Sequence, residues 1–128
     1  MPSGQETRVT DPKTGGQKGT KLARFDLLPY DALWKVAEHF GVGARKYADR
    51  NWERGYDHSL SQAALGRHFA AYMMGEDYDC HLPECPVDCV EHTEGLHIVA
   101  VAWHALALIA FTLRGLGNDN RPTTGGIA

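Results

Sequence analysis

The chain has 128 residues, 43% of them hydrophobic, and a formal net charge of −3. That length suits one domain able to bury roughly two-thirds of its unfolded surface, and the charge excludes a global basic field that would collect DNA or RNA. Three cysteines and an N-terminus without an apolar run argue against a disulfide-stapled secreted scaffold and a signal peptide, so a cytoplasmic setting is expected.

Residues 1–18 are Gly, Thr, Lys, Asp and Pro without a period and read as a flexible tail. Pro29 then suits a helix start, and Leu33, Val36, Ala37 and Phe40 make an i, i+3, i+4, i+7 stripe. Gly41 and Gly43 are expected to stop or kink that helix. "ARKYADRNWERGYDHS" mixes charge with aromatics and reads as a short helix and a loop. A second long helix is expected over "SLSQAALGRHFAAYMMG", capped by Ser59 or Ser61, with Leu60, Ala64, Leu65 and Phe69 facing the core.

A Cys-rich loop follows, and a third helix is expected from about Glu94 to Leu113. It is apolar almost all round, which marks the centre of a bundle. Its run "IVAVAWHALALIAFTL" is broken by His104 and falls short of the roughly 18–20 residues that span a bilayer, so no membrane is expected. Residues 115–128 read as a second flexible tail. No segment alternates as a strand would. The expected fold is all-α: a compact helical bundle over residues 19–114, with a central apolar C-terminal helix and residues 80–93 as an insertion loop.

The stretch "GEDYDCHLPECPVDCVEHTEGLHIV" carries the densest chemistry. Cys80, Cys85, Cys89 and His92 could supply four tetrahedral ligands to a structural Zn²⁺, although the tight C-x2-C pair of a standard knuckle is missing. The competing reading is a loop of reduced cysteines. His97 and His104 lie seven apart, on one stripe of an apolar helix, and a buried imidazole needs a partner. Glu76, Asp77 and Asp79 crowd the C-terminal end of the second helix, where the dipole disfavours acids, so either a cation or solvent balances them. Arg45, Lys46, Tyr47, Arg50, Asn51, Trp52, Arg54 and Tyr56 are basic and aromatic, suiting phosphates and a nucleobase, or else a surface loop with Trp52 plugging the core. Together these regions hold the parts of a nucleotide-phosphate site, with acids that suit Mg²⁺ or Mn²⁺ and metal-assisted hydrolysis.

Four segments, "KLARFDLLPYDAL", "GARKYADRNWERG", "AALGRHFAAYMMGEDYD" and "GLHIVAVAWHALAL", occur in the order seen in one family. Over about residues 17–114 the chain resembles the phage dATP/dGTP diphosphohydrolase-like family, related to the MazG/MazZ all-α nucleotide pyrophosphohydrolases. The resemblance implies an oligomeric helical enzyme that splits a deoxynucleoside triphosphate into monophosphate and pyrophosphate with Mg²⁺ or a similar ion, reshaping the nucleotide pool during phage infection in the host cytoplasm.

By position, Lys21, Arg24 and Asp26 match the family's opening motif, and Lys46, Tyr47, Asn51 and Trp52 its central one. Arg67, His68, Glu76, Asp77 and Asp79 match "RH…GED-x-D", and His97 the first histidine of the last helix. The chain departs from the family in its Cys-rich insertion, in Ala100 at the second histidine and in His104 at an expected asparagine. Glu91-x-x-Glu94 supplies only half of the related E-x-x-E…E-x-x-D signature.

The resulting expectation is a metal-dependent pyrophosphohydrolase and homo-oligomer acting on a nucleoside triphosphate, not on a nucleic acid polymer. Glu76, Asp77, Asp79 and Glu94 are its candidate metal ligands, Glu94 also a catalytic base, and His68 and His97 its acid/base groups or further ligands. Lys21, Arg24, Lys46 and Arg67 would hold phosphates, with Tyr47, Asn51 and Trp52 at the substrate. The rival readings are a non-catalytic nucleotide-sequestering protein and a zinc-stabilised helical interaction module.

Overall fold

A computed structural model describes residues 5–79 and 95–123. The chain divides into two compact units, residues 1–30 and 31–128. In the first, strands β1 (Thr7–Thr10) and β2 (Gln17–Thr20) pair antiparallel, Thr7 opposite Thr20 and Thr10 opposite Gln17. The connecting "DPKTGG" makes the turn. Asp11 Oδ1 accepts the backbone N–H groups of Lys13 and Thr14 at 2.8 and 2.9 Å, and Gly15 takes φ = 76°, which a glycine adopts without strain. The all-α expectation is corrected here to a mainly helical chain with one hairpin, within the stretch read as a tail. Both faces of the hairpin are largely exposed, so no apolar alternation announces it. A short 3₁₀ turn follows at Phe25–Leu27, where the Arg24 guanidinium donates twice to the Asp26 carboxylate at 2.9 and 2.7 Å.

In the second unit, helix α1 (Tyr30–Lys46) runs uninterrupted through Gly41 and Gly43, correcting the expected stop. Each glycine costs an exposed helix about 1 kcal/mol; Val36 and Val42, buried on one stripe with half-buried His39 and Phe40, hold the helix past them. Arg50 enters a 3₁₀ turn (Asn51–Arg54) from the left-handed region at φ = 58°. Helices α2 (His58–Met73) and α3 (His97–Arg114) form the main packing pair. Contacts of His68 with His97, Ser61 with His104 and His58 with Phe111 make the pair antiparallel.

The inner face of α3 is His97, Ala100, His104, Ala107 and Phe111, a 3-4-3-4 spacing. The inner face of α2 carries His58, Ser61, His68 and Ala71, while Leu60 and Phe69 point outward at 62% and 47% exposure. This corrects the expected face by about one residue. The polar groups face inward because they hydrogen-bond across the helix pair. α3 is long and apolar enough to cross a membrane, and in this fold the face carrying both its histidines packs on α2.

Gly115, at φ = 65°, ends α3, and the Leu116 N–H donates to Phe111 O at 3.0 Å. The chain then docks on the start of α2: His58 N–H donates to Asn118 O (2.9 Å), and Ser59 N–H to Asn120 Oδ1 (3.0 Å). Those bonds replace the side-chain cap expected from Ser59 or Ser61; Asp57 holds the cap position, its Oδ1 accepting from Asn118 Nδ2 at 3.1 Å and not from a helix N–H. Part of the segment read as a C-terminal tail is therefore a structural strap.

Candidate active site

Between α1, the 3₁₀ turn at Asn51–Arg54 and the α2–α3 pair lies an open cavity of ≈ 930 Å³. Its floor is aromatic. Trp103 lies 5.5 Å from Phe40 and 6.5 Å from Trp52 between ring centroids, and Trp52 in turn lies 6.1 Å from Phe111. Trp52 therefore packs against the core aromatics and also lines the cavity wall. Lys46, Tyr47, Asn51 and Glu53 line the rim, and Arg50 Nη1 is paired with Glu53 Oε1 at 2.7 Å.

Against Trp103 stands a group of histidines, His104 at 4.8 Å and His39 at 6.0 Å between ring centroids. His68 Nδ1 and His97 Nδ1 share a hydrogen bond of 2.8 Å. His104 Nδ1 bonds Ser61 Oγ at 2.9 Å, and Ser61 Oγ bonds Tyr56 Oη at 2.6 Å, forming a continuous polar chain across the helix pair. Burial disfavours the charged form of His104 and, with the nearby His68, His39 and Arg67, pushes its pKa down to about 4. Burial lowers His39 and His68 too; at His68 the neighbouring Asp79 carboxylate opposes the shift.

Two backbone bonds bring the acids to this group. Asp79 N–H donates to Gly95 O (2.7 Å) and His97 N–H to Asp77 O (2.8 Å), with Tyr78 bridged antiparallel to Leu96. Residues 77–79 and 95–97 are thus joined through an isolated antiparallel bridge. Asp79 Oδ2 lies 4.0 Å from His68 Nε2, and Glu76 Oε2 lies 3.4 Å from His97 Nε2. His68, Asp79 and His97 each offer a ligand atom within 4.8 Å of the other two. His97 is 6% exposed, and its Nε2 has no hydrogen-bond partner among the described residues. Such an orphaned buried nitrogen costs about 1–3 kcal/mol, so the donors present fit a divalent cation.

The dATP/dGTP diphosphohydrolase N-terminal domain profile matches residues 12–121. The chain belongs to the dATP/dGTP diphosphohydrolase family. No curated protein and no solved structure matches it. The family's name denotes a nucleotide-hydrolysing enzyme, and the match takes in the hairpin strand β2, all three helices and the strap.

Of the residues that the diphosphohydrolase resemblance selects, the fold gathers Lys46, Tyr47, Asn51, Trp52, His68 and Asp79 around one cavity. His97 stands behind them, bonded to His68, with the Glu76 carboxylate beside it. Asp77 contributes its backbone carbonyl, and Arg67 is exposed on α2. Lys21 and Arg24 belong to the first unit, where Asp26 occupies the Arg24 guanidinium. Glu94 and the zinc candidates Cys80, Cys85, Cys89 and His92 lie outside the described residues.

Sequence reasoning left His39, Ser61, Trp103 and His104 out of the site. His39 had a readable signal: it follows Val36 by three residues, placing an imidazole beside the buried stripe of α1. Ser61 had none, because its partners, Tyr56 and His104, are supplied by separate parts of the chain.

Proposed function

We propose that the chain hydrolyses a purine deoxynucleoside triphosphate between the α and β phosphates, releasing monophosphate and pyrophosphate, and that it works as a homo-oligomer during phage infection. The observation carrying this reading is that Lys46, aromatic side chains, His68 and Asp79 line one cavity. Trp52 or Tyr47 offers a π-face to the base, Asn51 offers hydrogen bonds beside it, and Lys46 offers charge to the phosphates.

His68, Asp79 and His97, with Glu76 adjoining, would hold a divalent cation. When bound, that ion supplies charge neutralisation at the phosphates and activation of a water. Water attacks the α phosphorus, the bond to the bridging oxygen breaks and pyrophosphate leaves with that oxygen. The proton goes to a carboxylate, for which Glu94 remains the sequence candidate. In the ion-free protein His68 and His97 orient one another through their shared hydrogen bond.

The test is incubation of purified protein with a panel of nucleoside and deoxynucleoside triphosphates and Mg²⁺ or Mn²⁺, products resolved by anion exchange. Monophosphate plus pyrophosphate from a purine deoxynucleotide is expected. Asp79→Asn should lower kcat by at least about 10²-fold while leaving nucleotide binding within a few-fold. Binding without turnover across the whole panel would instead favour a sequestering protein.

A further inference from the structure

The hydrolase reading treats the cation as generic, whereas the donors around it are not. We propose that His68, Asp79 and His97, with the Glu76 carboxylate beside His97, form a site selective for a transition-metal ion such as Mn²⁺, Co²⁺ or Zn²⁺ over Mg²⁺. The catalytic meaning of this assignment rests on the hydrolase reading; the donor chemistry stands without it.

Two of the three clustered donors are imidazole nitrogens, which suit first-row transition ions, whereas Mg²⁺ takes oxygen ligands in near-ideal octahedra. Bonds of about 2.0–2.2 Å place tetrahedral donors roughly 3–4 Å apart. Ligand atoms already within 4.8 Å of one another therefore need only about 1 Å of side-chain closure.

The hydrogen bond between the rings sets the condition for binding. His68 Nδ1 and His97 Nδ1 lie 2.8 Å apart and share one proton. If the His97 ring donates, its neutral Nε2 is a bare lone pair facing Glu76 Oε2 at 3.4 Å. If the His68 ring donates, its Nε2 is the bare lone pair, and Asp79 Oδ2 stands 4.0 Å away. In either neutral tautomer one ring turns a lone pair toward a carboxylate and the other an N–H. Both rings therefore ligate one ion only once the shared proton is displaced, and binding releases that proton. The buried His97 Nε2, without a partner among the described residues, marks where the demand for an ion is strongest.

The full chain is stripped with a chelator and titrated without nucleotide, Mn²⁺ being followed by loss of its free-ion paramagnetic resonance signal and Co²⁺ by visible absorption. One site per chain is expected for each, with Mg²⁺ at least about 100-fold weaker as a competitor. His97→Gln and, separately, Asp79→Asn should weaken Co²⁺ binding at least about tenfold, with circular dichroism reporting that each variant folds. His68→Gln serves in place of a variant that does not. A Cys80→Ser, Cys85→Ser, Cys89→Ser background should titrate unchanged, and the bound Co²⁺ should lack thiolate charge-transfer bands.

The assignment is overturned if Mg²⁺ binds as tightly as Mn²⁺, if Co²⁺ finds no site, or if binding survives in the folded variants. Since no nucleotide is present, a bound ion in a protein that turns over nothing would sink only the hydrolase reading. Turnover with Mg²⁺ and no Co²⁺ site would sink only this one.

Discussion

His104 Nδ1 bonds Ser61 Oγ, and the burial of its ring gives the fold a pH dependence. Its pKa falls to about 4 in the folded protein, chiefly through burial, against an ordinary 6.5. The folded state therefore binds fewer protons than the unfolded state between those values, and stability rises with pH across that window. The contribution is fully present above about pH 6.5 and is lost as pH falls toward about 4. His39 and His68, also lowered, add in the same direction. Urea midpoints should decline through this range for the parent protein, and the slope should be shallower in His104→Gln. Parallel slopes would mean that His104 does not carry the dependence.

The strap between Gly115 and Asn120 shows how a short element fixes a longer one. Gly117 takes φ = 69° against the backbone of Tyr56, where an added Cβ would collide with Tyr56 O and sit 3.1 Å from Tyr56 N. Gly117→Ala should cost at least about 2 kcal/mol of unfolding free energy, from strain and overpacking together. Gly43→Ala is the counterpart, since it lies within α1 with open space around it, and it should stabilise by about 0.5–1 kcal/mol. Denaturant titration of both separates the roles: one glycine is required by geometry, the other tolerated by the helix. Sequence alone treats Gly41 and Gly43 as helix stops and the C-terminal glycines as tail. It weighs local propensity, whereas the packing of Val36, Phe40 and Val42 and the docking of Asn118 are tertiary.

Across the whole molecule, α3 has a second apolar face. Ile98, Leu106, Ile109 and Leu113 are 40–70% exposed on one side of the helix, and Ile109 and Leu113 line a shallow apolar hollow with Leu108 and Thr112. Such a contiguous apolar patch suits self-association. Light scattering after size exclusion should give a multiple of 14.1 kDa, and Ile109→Glu with Leu113→Glu should return the chain to a monomer. A parent protein that is monomeric at working concentration would refute the homo-oligomer.

The pattern of residues by itself determined the three described long helices, the family and the members of the central Lys46, Tyr47, Asn51, Trp52 motif and of "RH…GED-x-D", because helical period and motif spacing are local properties. Only the tertiary structure decided that His58, Ser61 and His68, rather than Leu60 and Phe69, face inward on α2. It likewise paired Asp77 and Asp79 with the start of α3 and set His68 against His97. Buried polar atoms must find partners, and those partners, 29 residues apart for His68 and His97 and 43 for Ser61 and His104, exist only once the helices have packed.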